Sequence, residues 1–186
     1  MPFAYGLVAI DLNLSVLFIF LLSTISAYSL IISGWASNSK YAFLGGLRAA
    51  AQLISYEIVM LISLLPIFLD AGSLNLSDII LNQKTIFNCF TYFFSFVICF
   101  IAMLAETNRV PFDLPEAESE LVSGYNVEYS AVSFVFFFLA EYANIIAMSF
   151  LIVCIFFGGD SSFFGFFEAS FFWFYLKLFF FLYFFI

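Results

Sequence analysis

A chain of 186 residues with 65% hydrophobic and only 10% charged side chains cannot hide its apolar surface in a water-soluble fold; with a mean hydropathy of +1.13 it belongs in a membrane. The net charge of −8 comes partly from one central stretch, and the five cations Lys40, Arg48, Lys84, Arg109 and Lys177 are scattered, which excludes a nucleic-acid surface. There is no His, and Cys89, Cys99 and Cys154 lie in or beside apolar runs without a CxxC spacing, so they offer no zinc or iron–sulfur site.

Five apolar stretches reach the roughly 20 residues that a helical crossing needs: 12–33, 47–69, 86–105, 130–157 and 163–186. The expected fold is all-α, a single polytopic membrane domain over 1–186 with about five transmembrane helices. A structured acidic loop, 106–129, joins the third and fourth. No internal repeat is visible, and the N-terminus has neither a basic signal region nor an Arg-rich transit segment. Asp11, at the edge of the first span, reads as interfacial. Between the first two spans, Ser37-Asn38-Ser39 is a natural helix-capping cluster, and Gly45-Gly46 permits close backbone packing. Loop 35–46 carries Lys40, with Arg48 at the mouth of the next span, and the acidic loop carries Arg109. The opposite face has only Lys84, so the positive-inside rule turns Lys40, Arg48 and the acidic loop towards cytoplasm or matrix. Stretches 70–84 and 158–162 read as polar linkers.

The acidic stretch reads ETNRVPFDLPEAESELVSGYNVEYS over 106–130. It holds Glu106, Asp113, Glu116, Glu118, Glu120 and Glu128, six of the thirteen acidic residues, with only Arg109 to offset them. Asp113 and Glu116 have capping-box spacing, Pro115 is tolerated in a first turn, and Ser123-Gly124 supplies a stop. Glu116 and Glu118 then lie near the positive end of the helix dipole, and Glu116 and Glu120 share a face. Capping accounts for Asp113 and Glu116. It leaves Glu106, Glu120 and Glu128 without a reason.

Three ionisable residues fall well inside apolar runs: Glu57, Glu141 and Lys177, with Glu168 nearer a span end. Each costs roughly 2.5–3.5 kcal/mol at the bilayer centre on insertion scales. Two readings account for the glutamates: neutral hydrogen-bonded links between helices, or proton carriers. Glu128 and Glu141 are thirteen residues apart, about 20 Å along one helix, so direct transfer between them needs a bridge. Lys177, about 14 Å before the chain's last residue, is expected to face inward, close to Glu57 or Glu141.

The acidic stretch, GWASNSKYAFLGGLRAAAQLISYE over 34–57, and the strings around Glu57 and Glu141 together resemble one family. It is the quinone-site membrane subunit of proton-pumping NADH:quinone oxidoreductase, respiratory complex I. The resemblance implies a wall of the ubiquinone chamber and a buried proton path through Glu57, Glu106, Glu128, Glu141 and Lys177. Arg109, Asp113, Glu116, Glu118 and Glu120 are then the quinone-side loop, with Lys40 and Arg48 in the neighbouring one. It implies no cofactor or redox centre in this chain, ubiquinone as substrate, and FMN and iron–sulfur clusters in partner subunits. Implied partners are the peripheral quinone-module and membrane-arm subunits and the lipid bilayer. The implied location is the mitochondrial inner membrane, which the Phe-rich, A+T-biased composition suits, or a bacterial inner membrane. Family members carry two further helices before, and one after, the part seen here. A split gene, with separate polypeptides supplying those helices, is the favoured expectation, and an incomplete sequence the other. Two rival classes are a cation/proton transporter, which should show an inverted repeat or broken helices, and a scaffold membrane subunit, which needs no intramembrane acids.

Overall fold

Among the described residues each of the five apolar stretches carries helix, because nothing in a bilayer replaces the backbone hydrogen bonds that helix supplies internally. The computed structural model describes residues 2–4, 7–8, 12–83, 86–109, 111–113, 128–161 and 171–186. A short antiparallel hairpin, β1 (Pro2–Ala4) and β2 (Leu7–Val8), precedes α1 (Ser15–Ala36) and α2 (Lys40–Ala71). Then come α3 (Leu76–Asn82), α4 (Asn88–Thr91), α5 (Phe93–Glu106), α6 (Val132–Phe156) and α7 (Phe171–Phe185). Among the described residues α1, α2 and α6 are each long and apolar enough to cross a membrane. At 32 residues, or about 48 Å, α2 exceeds the ~30 Å hydrocarbon core and must tilt or protrude.

The chain turns from α1 to α2 within residues 37–39, so the expected loop 35–46 shrinks and Arg48 lies two turns inside α2. Ser39 occupies the N-cap position but makes no capping side-chain bond. Ser37 Oγ instead donates to Gly34 O at 2.7 Å, and Asn38 takes the left-handed conformation of the turn, φ 52°. Small residues bring the two helices together. A Cβ on Gly34 would stand 2.7 Å from Ala42 O, and one on Gly46 2.8 Å from Leu30 O. Both obstacles are backbone, so neither can swing aside. Gly46→Leu is therefore expected to force α1 off α2, at about 1–3 kcal/mol or more, read as a fall in thermal unfolding temperature in detergent.

Two stretches expected to be linkers carry structure. Within 70–84, Asn75 Oδ1 accepts from Ser77 N at 3.0 Å and starts α3, which buries Leu76 and Ile79 in the core. Residues 158–161 fold back against the bundle, with Gly158, Gly159 and Asp160 buried. The third apolar stretch is not one continuous helix. It breaks at Tyr92 (φ −117°, ψ 50°), leaving α5 with 14 residues, about 21 Å.

α1 packs on α2, α2 on α5, and α6 on α7, with α3, α4 and α5 closing on α6. The core gathers Val16, Met60, Leu64, Leu76, Ile79, Met103 and the whole run Phe150–Phe156 of α6. Phe96 meets Phe156 and Phe157 edge to face at 5.2 and 5.7 Å, and Phe157 also touches Phe181. The outward faces remain apolar, including Leu21, Ile62, Phe136 and Phe180, as a lipid-bathed bundle requires.

Candidate functional site

The C-terminus of α5 lies deep inside the bundle. Glu106, its last residue and 1% exposed, accepts 2.6 Å from Ser23 Oγ of α1. Ser23 is thirteen residues before Ala36 at the end of α1, about 20 Å along the helix, so the helical part of the third crossing stops near mid-membrane. Non-helical backbone at that depth is tolerated only where protein surrounds it or it lines a water-filled cavity. Here protein surrounds its root. Gln52 of α2 donates from Nε2 to Ala105 O (2.9 Å), Phe112 O (2.8 Å) and Asn108 Oδ1 (3.2 Å). Asn144 Nδ2 of α6 donates to Glu106 O at 3.3 Å. Phe112 then rests edge-on against Tyr56 at 5.3 Å.

Four of the residues singled out from the sequence meet around this point. Thr24 Oγ1, next to Ser23 on α1, donates to Glu57 Oε1 at 2.7 Å. Consecutive residues of α1 therefore hold two carboxyls from two different helices, near enough to act on each other electrostatically. Each glutamate is 8% exposed or less. Glu106 Oε2 is fully buried and has no hydrogen-bond partner among the described residues, the position a proton or a water would complete. Three residues beyond Glu106, Arg109 Nη2 comes within 3.5 Å of Glu141 Oε1, and its guanidinium lies 5.4 Å from the ring centre of Tyr142. Asn108, with φ 51°, makes the left-handed turn that sends Arg109 to α6. α2, α5 and α6 thus each bring one carboxyl to this region, the first two buried against hydroxyls of α1 and the third, partly buried, paired with Arg109.

Lys177 does not join that group. It is buried, as expected, but its ammonium donates to Phe157 O (2.7 Å), Gly159 O (3.1 Å) and Ser161 O (2.6 Å) and lies 5.2 Å from the Phe87 ring centre. Neither Glu57 nor Glu141 is among its partners; the acid that acts on it is Asp160. The reason is the buried C-terminus of α6, whose unpaired carbonyls need donors. Gln83 and Asn88 serve Cys154 O and Ile155 O, and Lys177 serves the turn beyond them, where a cation also opposes the helix dipole.

Glu128 is exposed and lies before α6 begins at Val132, so it does not share a helix with Glu141. Its neighbour Tyr129 donates from its hydroxyl to Ser33 O at 2.9 Å, tying this end of the loop to α1. Lys40, Arg48 and Asp113 are exposed. Glu116, Glu118 and Glu120, with the capping box at Glu116, lie outside the described residues, as does Glu168. Ser23, Thr24 and Gln52 escaped the sequence reading because attention went to charge. A polar amide inside AAAQLIS carries the same signal as a buried glutamate, more faintly.

The family model described as NADH dehydrogenase matches residues 1–186. The chain is 54% identical over 158 residues to NADH-ubiquinone oxidoreductase chain 1 of Triticum aestivum, covering 85% of this chain and 49% of that protein. It is 54% identical over 159 residues to an NADH-quinone oxidoreductase subunit of Rhodospirillum rubrum, covering 85% and 47%. The chain 1 protein of Chondrus crispus gives 54% over 158 residues, covering 85% and 48%. The chain thus spans about half the length of the curated relatives it matches. With every residue of its length matched by that family model, this chain belongs to the NADH dehydrogenase family.

Proposed function

We propose that this chain acts as the membrane subunit of proton-translocating NADH:quinone oxidoreductase, walling part of the quinone chamber and coupling quinone reduction to proton movement. The observation that carries this reading is the meeting of Glu57, Glu106, Glu141 and Arg109 near mid-membrane, at the root of the acidic loop. Reducing a quinone to a quinol consumes two electrons and two protons. Carboxyls that share a low-dielectric site repel one another when ionised, so a charge gained or lost at one of them is felt by the next. A change of charge at the quinone shifts their protonation and alters the pull on Arg109, and with it the loop. The path runs from Glu128 at the loop's outer end through Glu141 and Arg109 to Glu106 and Glu57. The hydroxyls of Ser23 and Thr24 stand between the last two. Asp113, Glu116, Glu118 and Glu120 belong to the quinone-facing loop, and Lys40 and Arg48 to the same membrane face. Lys177 stands apart, as a clamp on the α6 terminus.

In this reading the protein has no redox centre. Ubiquinone is the substrate, FMN and iron–sulfur clusters belong to partner subunits, and the assembly sits in a mitochondrial or bacterial inner membrane. Affinity purification through this chain should recover flavin- and cluster-bearing subunits whose quinone reduction is blocked by quinone-site inhibitors. Recovery of a stable oligomer of this chain alone, without them, would defeat the proposal. Arg109→Gln in the purified complex should lower NADH:quinone activity several-fold while NADH oxidation by an artificial acceptor persists. Equal loss of both activities would mean failed assembly.

A further inference from the structure

Gln52 has no charge and no reason from the proton path to sit inside α2, yet it makes three hydrogen bonds to one short segment. We propose that Gln52 is a positioning residue, which holds the root of the acidic loop, 105–112, at mid-membrane depth so that Arg109 meets Glu141 and Phe112 meets Tyr56. Its bearing on quinone rests on the function proposed above; its bearing on the loop does not.

The geometry leaves little choice about the chemistry. The three acceptors are all oxygens, so the side-chain atom facing them must be the nitrogen; a flipped amide would set Oε1 against two carbonyls. Its two N–H groups serve three acceptors, one bond being shared. Ala105 O closes the last turn of α5 and Phe112 O lies on the far side of Arg109, so one amide spans the segment that presents Arg109. Local bonds complete the turn: Arg109 N donates to Leu104 O at 3.2 Å and Phe112 N to Arg109 O at 2.7 Å. Asn144 holds the same segment from α6, through Glu106 O. With an amide on either side, the loop root is fixed between α2 and α6. Of the two, Gln52 bridges both ends of the turn.

Gln52→Met keeps the length and volume of the side chain and removes every donor. In the whole complex, hydrogen–deuterium exchange of a peptide covering 104–113 should speed up about tenfold or more, with peptides from α7 unchanged. The KM for a short-chain ubiquinone should rise about tenfold, with a smaller change in kcat. A merely structural role predicts less assembled complex with an unaltered KM. Faster exchange with an unaltered KM supports the positioning role and counts against the loop's part in the quinone site. Exchange at the wild-type rate overturns the proposal. Should Gln52→Met fail to assemble, Gln52→Asn keeps an amide that falls one methylene short of its three acceptors. It should give intermediate exchange and intermediate KM, and wild-type exchange there overturns the proposal equally.

Discussion

Glu106→Gln is expected to lower proton translocation coupled to quinone reduction at least tenfold while the complex assembles and still oxidises NADH with an artificial acceptor. Size and shape are conserved, and the amide oxygen can still accept from Ser23 Oγ, which now bonds Oε1 at 2.6 Å. What is lost is the second oxygen, buried and without a partner among the described residues, as a site that can gain or lose a proton. Glu57→Gln should act in the same direction, because Thr24 holds that carboxyl beside the first. The two effects should not add, since neighbouring groups that serve one path are coupled. Full proton stoichiometry in a reconstituted Glu106→Gln complex would remove Glu106 from the path.

Lys177→Met should produce the largest loss of stability. Three carbonyls past the end of α6 then face a methyl group: Phe157 O, Gly159 O and Ser161 O. At about 1–3 kcal/mol for a buried group left without a partner, and less for a part-buried one, the cost is on the order of 2 kcal/mol or more, with Gly159 O the most enclosed of the three. The segment concerned is among the most buried in the molecule, with Phe150–Phe156 of α6 all inside. The expected readout is a lower yield of assembled complex and an earlier thermal transition. Sequence reasoning led elsewhere, to a Lys177 on the proton path beside Glu57 or Glu141. A Lys177→Met complex of unchanged stability that fails only in pumping would return Lys177 to the proton path.

A bilayer chain this apolar announces its class through composition alone, and the acids that matter stand out because a charge inside hydrocarbon is expensive. Glu57, Glu141 and Lys177 were legible on that ground, and Glu106 as an acid of the central stretch that capping does not explain. The five helical stretches followed from the length of a crossing. Partners did not. Ser23 and Glu106 are 83 residues apart in sequence and 2.6 Å apart in space, and nothing local in either segment says so. Helices that are apolar on nearly every side carry no polar stripe to distinguish the protein-facing side from the lipid-facing one. Their rotation and depth are then set by close packing, as where Gly34 and Gly46 let α1 and α2 touch backbone to backbone. The break at Tyr92, the stop of α5 near mid-membrane and the burial of the α6 terminus are decisions of the same kind. Each leaves backbone groups away from water, and Gln52, Asn144 and Lys177 are where they are because those groups must be satisfied. The sequence by itself determined which residues could not be left in lipid; only the tertiary structure decided which of them meet another side chain and which hold a carbonyl, because that depends on what backbone the fold strands beside them.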